Sequence, residues 1–127
     1  MSRKHIQQMN KTEKAFVHGY IRKHATEALN GGVQHFYDRA TERHFVIEDA
    51  VEALQGGLVV EVHDDRKPSV RALVRSQKGT CVVVELQSMR VITVYYNDPS
   101  DTHDTLNWNL YRWSTDLVEV VKSLRRA

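Results

Sequence analysis

Hydrophobic residues in the first half of the chain recur at helical spacing. Val17, Ile21 and Ala25 fall four positions apart, and this pattern stops at Asn30-Gly31-Gly32. Residues four apart share one face of a helix, and glycine commonly ends a helix. The same reasoning applied onwards predicts three helices, over residues 11–29, 33–44 and 47–54, the third ended by Gly56-Gly57.

After Gly57 the apolar residues become dense and β-branched, which is typical of strands. Short polar connections such as Gln77-Lys78-Gly79 separate the runs and favour hairpins. We predict four strands, over residues 58–63, 69–76, 80–87 and 91–96, and a closing helix over residues 114–126. The predicted fold class is α+β, with N-terminal helices, a four-stranded antiparallel meander sheet and a C-terminal helix packed on the sheet.

Composition fits one globular domain over residues 1–127, with residues 1–10 expected to be flexible. No apolar run approaches the roughly 20 residues that a bilayer requires, and no apolar stretch follows the basic start. We therefore expect a cytoplasmic protein with no membrane partner.

The net charge of +2 means that any nucleic-acid binding must depend on a local basic patch.

The second predicted helix carries the most specific chemical pattern. His35, Arg39 and Arg43 are spaced four residues apart and would share one helix face. Imidazole can move a proton near neutral pH, and guanidinium can hold a phosphate through two hydrogen bonds. The pattern points to phosphate chemistry, although a solvated helix face with Arg39 or Arg43 paired to nearby carboxylates explains it equally well.

The order of motifs over residues 35–99 adds a resemblance. After the His-x-x-x-Arg-x-x-x-Arg helix come a short acidic helix at 48–54, a strand after Gly57, the arginines Arg71 and Arg75, and the strand Val-Ile-Thr-Val-Tyr at 91–95. This region resembles an uncharacterised bacterial and phage domain family. That family is similar to small ribonuclease toxins of the RelE, colicin D and barnase type, so the resemblance implies RNA cleavage without a metal.

The predicted strands supply further candidates for such a site. Thr93 and Tyr95 alternate with Ile92 and Val94, so both hydroxyls are expected on one face of the last strand. Arg71 and Arg75 are expected to share a face in the same way. Ordinary strand preference and a solvated strand edge are the competing explanations for the hydroxyls and the arginines respectively.

These residues suggest a mechanism in which a base activates the RNA 2′-hydroxyl while cations hold the phosphate. We expect His35 to be the base, kept neutral by the neighbouring guanidinium charges, with Arg39, Thr93 and Tyr95 as the other catalytic groups. The expected substrate-binding residues are Arg43, Arg71 and Arg75.

Two other functions remain open. A non-catalytic protein-binding module, such as a phage or mobile-element inhibitor of a host protein, would explain the first helix and the aromatic segment from Trp108 to Trp113. That segment can equally be core. A nucleic-acid-binding regulator using Arg71 and Arg75 is a third function. RNA, or an inhibitor or host protein, is therefore the expected partner.

The remaining reactive side chains indicate no cofactor chemistry. The other histidines and Cys81 lack the paired spacing of a zinc site, and no glycine-rich phosphate loop is present. We expect no metal and no cofactor. With a single cysteine, the chain cannot form an internal disulfide, and Cys81 heads an apolar run that predicts a buried thiol.

Overall fold

The predicted α+β architecture is confirmed by a computed structural model, which describes residues 3–30, 46–66, 69–96 and 117–124. Its helices are α1 (Lys11–Asn30), α2 (Ile47–Gly56) and α3 (Leu117–Ser123), with a short 3₁₀ helix at Ile6–Gln8. Its strands are β1 (Arg3–His5), β2 (Leu58–Arg66), β3 (Ser69–Arg75), β4 (Thr80–Glu85) and β5 (Arg90–Tyr96). Each strand pairs antiparallel with its neighbour in chain order, as a meander.

The prediction of four strands is wrong by one, because β1 adds a fifth strand along the edge of β2. Three residues, two of them basic, show no apolar alternation that would predict a strand. β1 exists because the exposed edge of β2 offers backbone donors and acceptors to it. The predicted helix over residues 33–44 lies outside the described residues.

The main core lies between the helices and one face of the sheet. Alternate residues of the strands point to this face and pack against buried residues of α1 and α2. Leu117 of α3 joins the same cluster. The buried strand residues of this core are Val59, Val62, Ala72, Val74, Val82, Val84, Val91 and Val94.

Three register shifts interrupt the strict alternation of the described strands, two in β2 and one in β5. In β2, Val59 pairs with Val74 and Glu61 with Leu73, so that Val60 is an extra residue. The register shift in β5 places both Val91 and Val94 in the core, although they are three residues apart.

A buried carboxylate joins the start of the chain to α1 and α3. Glu13 accepts hydrogen bonds from the Lys4 ammonium at 2.6 Å, from the Leu117 N–H at 2.9 Å and from the Asn10 N–H at 3.1 Å. Burial alone would raise the pKa of Glu13, but the hydrogen bonds outweigh it and hold the pKa below its ordinary value. Glu13 is therefore charged near neutral pH and serves as a structural link.

Within the described ranges, the structure has no helix of the length and apolar character needed to cross a membrane.

Candidate phosphate-binding face of the sheet

The second face of the sheet, turned away from α1 and α2, carries most of its polar side chains. We call it the outer face. Strand pairing determines which residues meet on it, because directly paired residues of neighbouring strands point to the same side. The outer face is organised as rows of side chains that run across the strands.

One row of charged and titratable residues crosses all five strands. Arg3 pairs with His63, His63 with Arg71, Arg71 with Glu85 and Glu85 with Arg90. We call this set the charged row. It contains three arginines, one histidine and one carboxylate, so its formal charge is positive whether or not the imidazole is protonated.

The carboxylate in the charged row is turned towards the β4–β5 turn. Glu85 accepts hydrogen bonds from the N–H groups of Gln87 at 2.8 Å and Ser88 at 2.9 Å. These bonds orient the negative charge towards the turn backbone.

Two parallel rows bring the predicted strand residues beside the charged row. Arg75 pairs with Cys81, and Cys81 with Tyr95, so the arginine and the tyrosine lie on either side of Cys81. Adjacent strands are about 4.8 Å apart, which separates these two backbone positions by roughly 10 Å. The neighbouring row runs from Leu73 through Val83 to Thr93.

The middle of the outer face is apolar and buried. Val60, Leu73 and Cys81 form a second small cluster there, with Val83 packed against it. The Cys81 thiol is completely buried, as predicted, and donates to the Gly79 carbonyl at 3.6 Å. On β3, Leu73 of this cluster lies between Arg71 and Arg75.

Exposure differs among the predicted site residues. Arg71, Arg75 and Thr93 are half-buried, whereas Tyr95 is 38% exposed. A half-buried arginine can keep its guanidinium at the surface while its aliphatic stem packs on the sheet.

A buried carboxylate lies next to the charged row on β2. Glu61 is 8% exposed, and its Oε1 lies 3.9 Å from Nη1 of Arg3. Its Oε2 atom finds no hydrogen-bond partner among the described residues. Glu61 offsets part of the positive charge at the β1 end of the sheet, which leaves β3 as the more basic side.

The structure therefore brings together Arg71, Arg75, Thr93 and Tyr95 on one face. His35, Arg39 and Arg43 lie outside the described residues, as does the segment from Trp108 to Trp113. The predicted role of the His35 helix remains a prediction.

The sequence interpretation missed several contributors to this face, among them Arg3 and His63. Arg3 belongs to the strand that was not predicted. The sequence analysis weighs His63 only as a possible metal ligand. The signal needed was the pairing of β2 with β3, which a single sequence does not contain.

Among the described residues, no three histidine, cysteine or acidic side chains come together to form a possible metal site. Guanidinium, imidazole and hydroxyl groups on one surface can bind an anion such as a phosphate group.

Comparison with known proteins gives one match. Residues 34–99, just over half of the chain, match the family described as Domain of unknown function (DUF4258). This confirms the predicted uncharacterised family over nearly the predicted region, whereas the likeness to RelE, colicin D and barnase stays a prediction. No curated protein and no solved structure matches the chain.

Proposed function

The chain belongs to the DUF4258 family, and from the outer face that its family region carries we propose that it is a small ribonuclease of toxin type. Its reaction would be cleavage of RNA without a metal. The observation that carries the proposal is the strand pairing, because it collects Arg71, Arg75, Thr93 and Tyr95 on one surface.

The proposed reaction is attack of the RNA 2′-oxygen on the adjacent phosphorus. His35 takes the hydroxyl proton, the 2′-oxygen bonds to phosphorus, and the bond from phosphorus to the 5′-oxygen breaks. The products are a 2′,3′-cyclic phosphate and a 5′-hydroxyl, which receives a proton. His63, opposite Arg71 in the charged row, is a second imidazole on the outer face.

The other proposed roles follow from charge and hydrogen bonding. Arg39, Arg43, Arg71 and Arg75 hold the phosphate oxygens, where negative charge grows in the transition state. The hydroxyls of Thr93 and Tyr95 orient the same group. The half-buried positions of Arg71 and Arg75 support this role, because cations partly removed from water act more strongly on a bound phosphate.

Induced expression in bacteria tests the proposed function. The native chain is expected to stop growth, and His35→Ala is expected to relieve the arrest because the base is lost. His103→Ala is the matched control, since His103 is a histidine outside the candidate set. Harmless native expression would contradict the proposal, and so would full arrest by His35→Ala at equal protein level.

A protein-binding module is the second candidate function. The specific observation in its favour is an apolar groove between α1 and α3, in which Phe16 remains 39% exposed. Under this function the partner is a host or inhibitor protein. Expression would then be harmless to cells that lack this partner. The outer face would have no role in binding RNA.

A further inference from the structure

The groove between α1 and α3 is a surface that the ribonuclease proposal does not use. It has a volume of about 490 Å³. Ala15, Phe16, Gly19 and Tyr20 line it from α1, and Val121 lines it from α3. It lies on the helices, whereas the candidate phosphate site lies on the outer face of the sheet.

The base of the groove is apolar, and the groove has open space above Gly19. A Cβ built on Gly19 would meet no atom within 4 Å, so the helix surface there leaves space for a foreign side chain. Phe16 presents its ring beside that space. Exposed aromatic rings are enriched among residues that contribute most to protein binding.

Among the described residues, the charged side chains that line the groove are lysines. Lys23 of α1 and Lys122 of α3 both line it, and Nζ of Lys122 lies 5.8 Å from the centre of the Phe16 ring. No carboxylate is found among the described lining residues. An occupant with acidic side chains beside an apolar stripe would therefore match both the charge and the apolar base.

We propose that this groove docks an acidic amphipathic helix of a partner protein. Two helices with a gap between them accept a third helix, whose apolar residues at i, i+3, i+4 and i+7 enter the gap. The partner helix would place an apolar side chain over Gly19 and against Phe16. Its aspartate or glutamate residues would face Lys23 and Lys122. The proposal is independent of RNA cleavage.

Selection from a displayed library of 15-residue helical peptides against the full chain tests this proposal. The selected peptides are expected to carry an apolar stripe flanked by Asp and Glu. Their affinity should fall at least tenfold for Gly19→Leu, because the new side chain fills the space, and at least tenfold for Lys23→Glu combined with Lys122→Glu.

Gly56→Leu is the matched control, because Gly56 also has open space at its Cβ and lies outside the groove. It should bind the selected peptides like the native chain. Circular dichroism of each variant verifies that the helices are retained, and a Cβ at Gly19 meets open space, so a side chain there is compatible with the helix.

Several results would overturn the proposal. They are failure to select any peptide, selection of basic or neutral sequences, and peptides that bind Gly19→Leu as tightly as the native chain. A native chain that dimerises in sedimentation, and becomes monomeric in Gly19→Leu, would assign the groove to a second copy instead. Growth arrest in the His35 experiment is unaffected by any of these results, so the two proposals fail separately.

Discussion

At the scale of single residues, two adjacent glycines differ in whether the structure has space for a side chain. A Cβ on Gly57 would lie 2.4 Å from the Ala53 carbonyl oxygen and 2.9 Å from that of Arg75, whereas a Cβ on Gly56 would meet nothing. Gly57→Ala should therefore lower the free energy of unfolding by about 1–3 kcal/mol, through overpacking against backbone. Urea denaturation measures this change.

Gly56→Ala is the matched control for Gly57→Ala. Because Gly56 is the last residue of α2, alanine there should leave stability unchanged or raise it by up to about 1 kcal/mol. If both variants lost the same free energy of unfolding, the close approach of β3 to Gly57 would not explain the effect of Gly57→Ala.

The His18 ring gives a second prediction at the residue scale. Its Nδ1 donates to the Lys14 carbonyl at 2.7 Å, and its Nε2 accepts from the Val59 N–H at 3.0 Å. Burial lowers the pKa of His18, as do the charges of Arg22 and Lys14, against the effect of the Lys14 hydrogen bond. A second ring proton would also oppose the Val59 N–H.

The pH dependence follows from this lowered pKa. The unfolded chain binds the His18 proton more readily than the folded chain, so acidification below about pH 6.5 favours unfolding. The stabilisation is complete above that pH and is lost as the pH falls through the folded pKa. His18→Gln should lose less stability than the native chain between pH 7 and pH 5.5 in urea titrations. An identical decline in both proteins would contradict this assignment.

At the scale of secondary-structure elements, Tyr96 connects the end of β5 to the start of α2. Its hydroxyl accepts from the Val46 N–H at 2.9 Å and donates to Asp49 Oδ2 at 3.1 Å. Val46 precedes α2 and offers no side-chain cap of its own. The tyrosine therefore accepts from the N–H of the N-cap residue, as the third-residue Glu or Gln side chain does in a capping box.

Tyr96→Phe removes this cap and should lower the free energy of unfolding by about 0.5–1.5 kcal/mol. Hydrogen exchange of the first amides of α2 should accelerate more than that of β4. Tyr95→Phe is the neighbouring control, because Tyr95 lies on the outer face, away from α2. Faster exchange of α2 amides in Tyr95→Phe but not in Tyr96→Phe would refute the capping role.

Much of the element pattern was predictable from the sequence, because it depends on local periodicity. The start of α1 at Lys11, the end of α2 at Gly56 and the cores of β2 to β5 follow from apolar spacing and glycine position. β1 could not be predicted, because its three residues form a strand only through pairing with β2. The bulges in β2 and β5 likewise depend on register between strands.

The same limit applies to the candidate site. The shared face of Arg71 with Arg75, and of Thr93 with Tyr95, follows from alternation within one strand. That these pairs share a face with each other, and with His63, follows from pairing between strands. Tyr96 as a cap for α2, 50 residues from Val46, is equally a property of the folded chain.

At the scale of the whole molecule, Glu13 holds together parts that are far apart in sequence. Glu13→Gln removes its charge while keeping the side-chain shape, so Lys4 loses its ionic partner at 2.6 Å. We expect a loss of about 2–3 kcal/mol in the free energy of unfolding, because the carboxylate is buried.

The matched control for Glu13→Gln is Glu52→Gln. Glu52 pairs with Lys78 at 3.4 Å, but both side chains are largely exposed. Solvent screens such a pair, so its removal should cost less than about 1 kcal/mol. If Glu52→Gln lowered the free energy of unfolding as much as Glu13→Gln, burial would not explain the stabilising effect of Glu13.

The described part of the molecule thus has two separate candidate binding surfaces. The outer face of the sheet carries arginine, histidine and hydroxyl groups suited to a phosphate, and the α1–α3 groove carries an apolar base with lysines. The described helices pack on the opposite face of the sheet, so the groove and the outer face share no described residue.

The most direct test of the central claim is the cleavage rate of a labelled single-stranded RNA by the purified chain in excess EDTA. The native chain should release a 2′,3′-cyclic phosphate, and Arg71→Gln combined with Arg75→Gln should slow the reaction by on the order of a hundredfold or more. Arg22→Gln, at an exposed position on α1, should keep the native rate. No cleavage by the native chain, or equal rates for the double variant and the native chain, would contradict the account.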